Sequence, residues 1–381
     1  MAIAEIEPVV IGDRPVGPGH PVYVIAEAGV NHNGRVVRAL EMCDAAKAAG
    51  ADAVKFQAFR AAAFVSEEAP QAKYQEAHTR RSASQKTMLE ALELSADDFG
   101  RIAAHCREVG IEFLASPFDV ESVDMLVQTG VRAIKIASSE LTDLPLLEAS
   151  ARARVPLIMS TGASQITEIT EAVRRVHAEG AADIVLLHCL SVYPTPFEVQ
   201  NLKAMQTLME LFKCVVGYSD HSKELLSGRL AVTVGASVLE KHFTLDRRED
   251  GPDHAMSVEP KGLAEYIRMA RDMPADLIEI IRENERSRSA VGHGYKVPHS
   301  LERDVREVSW KSLAAAVDIP EGTVVRRTML TTLRPGTGFP PAAVDEVDGA
   351  VASVDIAAGS ILKQGMLGAL GHTRIEEDDD S

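Results

Sequence analysis

The sequence contains little that would mark an extracellular or membrane protein. Its four cysteines, Cys43, Cys106, Cys189 and Cys214, are scattered and form no CxxC pair. Such cysteines indicate reduced thiols rather than a disulfide framework or a zinc site. No run of about 18 apolar residues is present, and the N-terminus lacks a basic segment followed by a long apolar stretch. We therefore expect a cytoplasmic protein without a membrane partner.

Positive charge is also scarce. The chain has 40 lysines and arginines against 56 acidic residues, which gives a formal net charge of −16 at pH 7. Nucleic-acid binding depends on stripes of lysine and arginine, so this composition argues against a nucleic-acid partner. An anionic ligand must instead be held by a few locally placed cations. Part of the acidity lies in the run from Glu376 to Asp380, which predicts an acidic disordered tail over residues 373–381.

Short apolar runs rich in β-forming residues recur through the first two-thirds of the chain, each followed by a segment of helical periodicity. The eight runs are residues 22–29, 51–59, 112–119, 133–140, 156–162, 183–191, 214–222 and 237–244. Runs of this kind are typical of parallel strands buried on both faces. Eight βα units predict an α/β fold, a closed (β/α)8 TIM barrel over residues 1–286. A doubly wound sheet is the competing arrangement, but its glycine-rich GxGxxG turn is absent.

The remaining segments predict an insertion, a linker and a second domain. The polar, alanine-rich stretch from about residue 60 to 97 predicts a loop or helix above the barrel mouth. Residues 287–308 are rich in glycine, proline, serine and basic residues, which favours a linker. Residues 309–372 hold short β-like runs between PEG, PGTG and AAG turns and predict a small β-rich domain.

Polar side chains end all eight apolar runs. They are Glu27, Lys55 with Gln57, Ser116, Lys135 with Ser138 and Glu140, Ser160, His188 with Ser191 and Tyr193, Ser219 with Asp220 and His221, and His242. In a (β/α)8 barrel the C-terminal strand ends form one rim, which carries the catalytic groups of this fold. A single polar strand end is equally well explained by contact with solvent. All eight together favour one active site.

Lys55 and Lys135 lie inside apolar runs and predict an anion site, because a buried lysine needs an anionic partner. The hydroxyls that can support them are those of Ser116, Ser138, Ser160 and Ser219. The alternative is a pair of buried salt bridges to Glu27 or Glu140.

Two histidines, His221 and His242, close consecutive strands and can share one divalent ion with water completing the coordination. Ordinary hydrogen-bonded histidines are an equally good interpretation. Glu27 and Glu140 are the acid/base candidates, because carboxylates near lysines and a metal can be tuned for proton transfer.

At these residues the chain resembles the N-acetylneuraminate (sialic acid) synthase family. The resemblance rests on IAEAGVNHNG at 25–34, VKFQ at 54–57, SPFD at 116–119, KIASSE at 135–140, STG at 160–162, HCLSVYPTP at 188–196, YSDHS at 218–222 and EKHFTLDRREDGPDH at 240–254. SLAAAVDIPEGTV and LRPGTG resemble the C-terminal antifreeze-like (SAF) domain of that family. The resemblance implies a domain-swapped homodimer in which each SAF domain caps its partner's active site.

The resemblance also implies the reaction and the residue roles. The substrates would be phosphoenolpyruvate and an N-acetylated hexose such as N-acetylmannosamine, and phosphate would be released. Phosphoenolpyruvate would be held by Lys55, Ser116, Lys135, Ser138, Ser160, Ser191 and Ser219. The sugar would contact Gln57, Tyr193, Asp253 and Arg334. His221 and His242 would bind a divalent metal, Mn²⁺ first and Mg²⁺ or Co²⁺ as alternatives, while Glu27 and Glu140 would be the catalytic carboxylates.

Three positions depart from the family pattern. Ser191 stands where asparagine is usual, Ser116 where threonine is usual, and Trp310 replaces a basic residue just before the SAF domain. These departures leave the acceptor open, because the same scaffold resembles synthases for legionaminic acid, pseudaminic acid and spore-coat sugars that use a modified aldose. A non-catalytic sugar-binding protein is a further alternative, although the retained lysines, carboxylates and histidines argue against it.

Overall fold

The structure is a computed structural model of the chain, and it describes residues 6–79, 84–181, 183–272, 281 and 284–368. The predicted acidic tail, residues 373–381, lies outside the described residues. The strands before and within the barrel are β1 (Val9–Ile11), β2 (Arg14–Val16), β3 (Tyr23–Gly29), β4 (Ala53–Ala58), β5 (Glu112–Pro117), β6 (Ile134–Ile136), β7 (Leu157–Ser160), β8 (Ile184–Cys189), β9 (Val215–Asp220) and β10 (Val238–His242). Strands β3 to β10 are parallel and form a closed barrel in which β10 pairs with β3. Each predicted apolar run contains one of these strands, so the predicted (β/α)8 barrel is confirmed.

The helices surround the barrel or cover its mouth. In chain order they are α1 (Val36–Ala48), α2 (Ala61–Phe64), α3 (Lys73–Thr79), α4 (Gln85–Glu90), α5 (Ala96–Val109), α6 (Val120–Thr129), α7 (Leu144–Arg152), α8 (Ile166–Ala178), α9 (Ala204–Phe212), α10 (Leu226–Thr233), α11 (Pro260–Arg271), α12 (Glu285–Val291), α13 (Arg303–Ser309) and α14 (Val344–Val347). No described helix has both the length and the apolar character needed to cross a membrane.

Strand alternation determines which side chains enter the barrel. In β3, Val24 and Ala26 belong to the core between strands and helices, whereas Tyr23 and Ile25 belong to the core inside the barrel. Because side chains alternate along a strand, Glu27 continues the inward-facing series. The lower interior is therefore apolar, and the polar residues begin where the strands reach the mouth.

A short antiparallel hairpin, β1 with β2, contributes to the core at the lower end of the barrel. Val9, Ile11 and Val16 of the hairpin are buried with the inward-facing residues of the strands. This end of the barrel is therefore packed with apolar side chains, which leaves the opposite end for a site.

The insertion and the connecting segment both lie at the barrel mouth. Helices α2 to α4 occupy the insertion between β4 and α5, where Phe64 and Leu89 pack with Phe118. The segment predicted as a linker contains most of α12 and most of α13. Its Glu302 is 2% exposed and accepts backbone N–H groups from Ala163 and Ser191, at 2.6 and 2.7 Å. The connecting segment is thus packed against the loops that follow β7 and β8.

The second domain is small and β-rich, as predicted. Strands β11 (Ser312–Ala315) and β12 (Leu330–Leu333) pair antiparallel, and further isolated bridges join the turns around them. The domain has its own apolar core. It contacts the insertion through Arg334, whose backbone N–H donates to Phe64 O at 2.8 Å and whose carbonyl accepts from Ser66 at 3.1 Å. The predicted boundaries at residues 286, 308 and 372 stay predictions.

Candidate active site

A cavity opens at the C-terminal ends of the barrel strands. It is lined by all predicted site residues except Glu140, namely Glu27, Lys55, Gln57, Ser116, Lys135, Ser138, Ser160, Ser191, Tyr193, Ser219, His221, His242, Asp253 and Arg334. The polar ends of the apolar runs therefore surround one space, as the topology of this fold requires.

Two lysines and two carboxylates form a buried charge cluster in the cavity. Lys55 Nζ lies 2.5 Å from Glu27 Oε2 and 3.6 Å from Glu240 Oε2. Lys135 Nζ lies 3.3 Å from Glu240 Oε1, and Ser219 Oγ donates to the same carboxylate oxygen at 2.8 Å. All four charged side chains are at most 5% exposed. One of the two lysines thus has the salt bridge to Glu27 that the sequence left as an alternative to an anion site.

The surroundings give the two carboxylates different proton affinities. Burial raises the pKa of Glu240, but Lys135 and Lys55 outweigh burial and lower that pKa to about 2. Burial also raises the pKa of Glu27, the charge of Glu240 raises it further, and Lys55 offsets only part of the effect. Two neighbouring carboxylates whose pKa values diverge are typical of an acid and a fixed anion. Glu27 is therefore the group that can carry a proton, and Glu240 is the permanent charge.

The pKa values of the two lysines also shift in opposite directions. Burial lowers the pKa of Lys55, but Glu240 and Glu27 outweigh burial, so its pKa lies above the usual value. Burial lowers the pKa of Lys135, and the attraction of Glu240 only partly offsets this effect. Lys135 is thus the lysine whose positive charge is less well compensated, and an added anion nearby stabilises it.

Sequence reasoning missed Glu240. It lies in the middle of β10, two residues before His242, and the strand was represented only by its last polar residue. Because inward-facing residues recur every second position, the choice of His242 already placed Glu240 on the same face. That alternation is the signal that predicts it.

Hydroxyl groups converge around Gly162, directly after β7. The Gly162 N–H donates to Ser138 Oγ at 2.9 Å. A Cβ at this position would lie 2.9 Å from that oxygen, 2.8 Å from Cys189 Sγ and in collision with Ser191 Oγ. Ser160 Oγ is buried nearby in the cavity lining and has no hydrogen-bond partner among the described residues. Only a residue without a side chain lets these donors approach one another, which makes a small anion cradle.

The histidine pair closes another side of the cavity. The rings of His221 and His242 lie 5.3 Å apart. His221 Nδ1 donates to Leu190 O at 2.7 Å, so Nε2 is the ring nitrogen left for a metal. Burial and the neighbouring His221 lower the pKa of His242 well below its usual value, and its Nδ1 is buried without a hydrogen-bond partner in the described chain.

The donor set for a metal is therefore small. Within the described ranges, no group of three or more His, Cys, Asp or Glu side chains is arranged to hold a metal ion. Two imidazoles, one of them with an orphaned buried nitrogen, fit a divalent ion whose other ligands are water or substrate oxygens.

A second carboxylate, Asp253, faces Glu27 across Gly29. A Cβ on Gly29, whose φ is +55°, would lie 3.3 to 3.5 Å from Glu27 Oε1, Gln57 Nε2 and Asp253 Oδ2. Gln57 Nε2 donates to Glu27 Oε1 at 3.4 Å. Burial, with a contribution from the charge of Glu27, raises the pKa of Asp253 to about 7. Both acids on this side of the cavity therefore hold protons more readily than ordinary carboxyl groups.

Glu140 lies outside the cavity lining. The chain leaves β6 and enters a 3-10 turn, Ser138–Glu140, so strand alternation no longer directs its side chain. Its carboxylate is 2.7 Å from Lys311 Nζ and 3.3 Å from Arg334 Nη2, and its side chain is 0% exposed. This geometry places Glu140 beneath Arg334 rather than beside the reacting groups. Glu140 therefore positions Arg334, and the expected acid/base role receives no support from this arrangement.

Arg334 comes from the second domain and reaches the cavity of its own chain, where it also donates to Ser139 Oγ at 3.1 Å. Its guanidinium stacks over Phe64 and Phe118, with centroid distances of 4.9 and 5.3 Å. The resemblance implies an arginine supplied across a dimer, and that domain swap stays a prediction.

Two further residues escaped sequence reasoning. Tyr74 of α3 lines the cavity and packs against Tyr193, with ring centroids 4.8 Å apart. Lys296 of the connecting segment is 5% exposed, and burial lowers its pKa despite the nearby charge of Glu302. No periodic sequence pattern in the insertion marks Tyr74. Lys296 lies two residues after Gly294 in the predicted linker, where a lysine side chain is ordinarily exposed to solvent.

Comparison with known proteins agrees with this arrangement. Residues 42–280 match the NeuB family, and residues 311–368 match the SAF domain. The chain is 39% identical to the N,N'-diacetyllegionaminic acid synthase of Legionella pneumophila over 92% of this chain and 96% of that protein. It is 34% identical to the N-acetylneuraminate-9-phosphate synthase of Homo sapiens over 86% of this chain and 88% of that protein.

Among solved structures, the spore coat polysaccharide biosynthesis protein SpsE of Bacillus subtilis matches with a TM-score of 0.78 and 33% identity, covering 95% of this chain and 99% of that chain. The sequence resemblance is confirmed over both domains by these matches. The chain belongs to the NeuB family of phosphoenolpyruvate-dependent sialic and nonulosonic acid synthases, and it carries a C-terminal SAF domain.

Proposed function

We propose that this enzyme condenses phosphoenolpyruvate with the open-chain aldehyde of an N-acetylated hexose, such as N-acetylmannosamine, and releases inorganic phosphate. The observation that carries the proposal is the pair of buried lysines, Lys55 and Lys135, facing one cavity that also holds the hydroxyl cradle around Gly162. Buried cations and converging donors match a small polyanion.

Phosphoenolpyruvate supplies the charge that the lysines lack. Its carboxylate and phosphate accept from Lys55 and Lys135, and the hydroxyls of Ser116, Ser138, Ser160, Ser191 and Ser219 complete the contacts. Lys55 Nζ already donates to Ser116 Oγ at 3.2 Å, so this serine fixes the ammonium group. The binding energy comes from replacing weakly compensated buried charge with charge-assisted hydrogen bonds.

In the reaction, C3 of phosphoenolpyruvate attacks the aldehyde carbon and positive charge develops at C2. Water adds at C2, and phosphate then leaves by C–O cleavage. Glu240 stays ionised beside both lysines and stabilises the cationic centre. Glu27, whose pKa burial raises, delivers a proton to the aldehyde oxygen as that oxygen gains charge, while Gln57 orients the Glu27 carboxyl group.

A divalent ion, Mn²⁺ or else Mg²⁺ or Co²⁺, would be held by His221 Nε2 and His242, and when bound it would act as a Lewis acid toward the aldehyde. The Tyr193 ring packs against the His221 ring at a tilt, with ring centroids 4.3 Å apart. Asp253 and Arg334 are placed to accept from sugar hydroxyls and to donate to the N-acetyl carbonyl, respectively.

The test is phosphate release from phosphoenolpyruvate with Mn²⁺ and a panel of N-acetylated hexosamines, with and without chelator. We expect release that depends on both the sugar and the metal. His242→Ala is expected to lower Mn²⁺ affinity, measured by titration calorimetry, by at least about tenfold. His105→Ala is the matched control, because His105 lies on α5 and pairs with Asp44 away from the cavity. Absence of release with every sugar would overturn the proposal.

A further inference from the structure

A single buried carboxylate joins the connecting segment to two loops of the barrel mouth. Glu302 ends the 3-10 turn Ser300–Glu302 and is 2% exposed. Its Oε1 accepts the backbone N–H groups of Ala163, which follows β7, and of Ser191, which follows β8. Its Oε2 accepts the backbone N–H of His299 at 2.7 Å. The carboxylate therefore bridges two neighbouring barrel loops and is itself held in place by its own turn.

Ala163 is held in a backbone conformation that alanine ordinarily avoids. Its φ is +48°, in the left-handed region, and its side chain is buried. The connecting segment binds both backbone polar groups of this residue, because the N–H donates to Glu302 and the carbonyl accepts from Arg306. These two partners lie 139 and 143 positions later in the chain. The local conformation after β7 thus depends on contacts from the connecting segment.

The two residues that Glu302 binds lie at the hydroxyl cradle. Ala163 directly follows Gly162, whose N–H donates to Ser138 Oγ at 2.9 Å. Ser191 Oγ lies so near Gly162 that a Cβ on this glycine would collide with it. Glu302 does not line the cavity itself. It can therefore act on a bound substrate only through the backbone that it holds.

Lys296 lies close enough to Glu302 for their charges to attract. Lys296 is 5% exposed, and burial lowers its pKa. Among the charges that favour its protonated form, that of Glu302 is the largest. A buried carboxylate behind an anion site would repel an incoming anion, and a neighbouring ammonium group reduces that repulsion. Glu302 can thus hold the cradle without opposing the charge of the substrate.

We propose that Glu302 is a positioning residue for phosphoenolpyruvate, which fixes the backbone at Ala163 and Ser191 so that the hydroxyl cradle around Gly162 fits an anionic group of this substrate. The inference rests on the proposed function and adds to it a residue that touches neither substrate. It also couples two parts of the chain. Because binding and order are linked reciprocally, phosphoenolpyruvate in the cradle stabilises the connecting segment.

The experiment measures the Kd of phosphoenolpyruvate by calorimetry, its KM, and the KM of the best acceptor in the hexosamine panel. In Glu302→Ala two buried N–H groups lose their acceptor, so the Kd and KM of phosphoenolpyruvate should rise at least about tenfold while the KM of the acceptor stays within about threefold. Glu302→Gln keeps an oxygen for both N–H groups and should recover most of the affinity. Glu307→Gln is the matched control, because Glu307 is an exposed residue of α13 that does not line the cavity.

Glu302→Asp separates position from charge. It keeps the carboxylate but is one methylene shorter, so it cannot reach both loops from the same turn, and the Kd of phosphoenolpyruvate should rise at least about fivefold. This variant also replaces Glu302→Ala in the comparison if the alanine variant fails to fold. Hydrogen exchange gives an independent measurement. Saturating phosphoenolpyruvate should slow exchange of the backbone amides in residues 296–308 of the wild type, and this protection should be lost in Glu302→Asp.

A folded Glu302→Ala or Glu302→Asp variant that binds phosphoenolpyruvate as tightly as the wild type would overturn the inference and leave the proposed function intact. An equal rise in the KM of both substrates would overturn it as well, since that result indicates general loosening of the barrel mouth. Failure of the wild type to bind phosphoenolpyruvate would instead remove the proposed function, and the inference with it.

Discussion

Replacing Glu240 with glutamine removes the carboxylate that pairs with both barrel lysines while keeping the shape of the side chain. In the variant, Lys55 retains Glu27, whereas Lys135 loses the carboxylate that lies 3.3 Å away. Removing one partner of a buried ion pair costs about 3–5 kcal/mol, because the remaining charge is left uncompensated. Lys135 escapes part of this cost by releasing its proton, since burial already lowers its pKa. We expect a loss of about 2–4 kcal/mol at pH 7, and a fall in Tm of about 3–5 °C.

The pH dependence follows from the same lysine. In the Glu240→Gln variant the folded-state pKa of Lys135 falls further below its ordinary value of 10.5. Between that lowered pKa and the unfolded value the unfolded chain binds more protons, so stability rises with pH across this window. The deficit relative to the wild type is therefore expected to shrink as pH rises from 7 toward 10. Glu112→Gln is the matched control, since Glu112 pairs with Arg132, which is 48% exposed, and its loss costs under about 1 kcal/mol.

Substrate binding and turnover should move in opposite directions in this variant. Phosphoenolpyruvate replaces the counter-charge that Lys135 loses with Glu240, so the Kd of phosphoenolpyruvate is expected to fall, as measured by calorimetry. The rate constant kcat is expected to fall by about 100-fold or more, because the cationic centre at C2 loses its fixed anion. Equal destabilisation by Glu240→Gln and Glu112→Gln, or weaker phosphoenolpyruvate binding in the Glu240 variant, would refute the charge-cluster interpretation.

Three further changes probe the other parts of the site. Gly162→Ala places a methyl group among the Ser138, Ser191 and Cys189 side chains, so the KM for phosphoenolpyruvate should rise at least tenfold with little change in Tm; an unchanged KM would remove the cradle. In Gly29→Ala the alanine must adopt a positive φ, and its methyl group crowds Glu27 and Asp253. We expect a large loss of kcat and a smaller loss in the free energy of unfolding, measured by kinetics and by denaturant unfolding in parallel. In metal-free protein, Asp253 stays protonated up to about pH 7 in the folded state against an ordinary pKa of 3.8. The wild type should therefore lose up to about 4 kcal/mol from Asp253 as pH rises through that window, and Asp253→Asn should reduce the slope to the part that Glu27 contributes, so equal slopes in the two proteins would contradict the prediction.

The sequence predicts the barrel well because its strands are buried on both faces. Each strand appears as an apolar run, and the eight runs leave little freedom in how they are connected. The β1–β2 hairpin was not predicted, because three-residue strands are too short to show a periodic pattern. The helices of the connecting segment were missed for a different reason. Its glycine, proline, serine and basic residues favour a linker, whereas its order depends on Glu302 binding backbone groups more than 100 residues earlier in the chain.

The site residues likewise fall into those that the sequence predicts and those that depend on tertiary contacts. Residues at strand ends, such as Lys55 and His221, could be predicted because topology alone brings them together. Glu140 follows a strand in sequence, yet the 3-10 turn redirects it toward Lys311 of the second domain. No local sequence pattern predicts a contact between residues so far apart in the chain. Sequence patterns thus identify the polar residues at the strand ends, whereas tertiary contacts determine which of these residues face the cavity.

The charge cluster explains how the empty cavity and the loaded cavity can both be stable. With Glu27 protonated, the four groups carry two positive charges and one negative charge, so the buried site has a net attraction for anions. A proton on Glu27 has two consequences. It leaves the lysines undercompensated, which favours phosphoenolpyruvate binding, and it supplies the acid for the aldehyde oxygen. In the empty site Glu27 pairs with Lys55. We expect phosphoenolpyruvate to replace this carboxylate as the partner of Lys55, and Glu27, whose pKa burial raises, then to take up the proton that the aldehyde oxygen needs when the carbon–carbon bond forms.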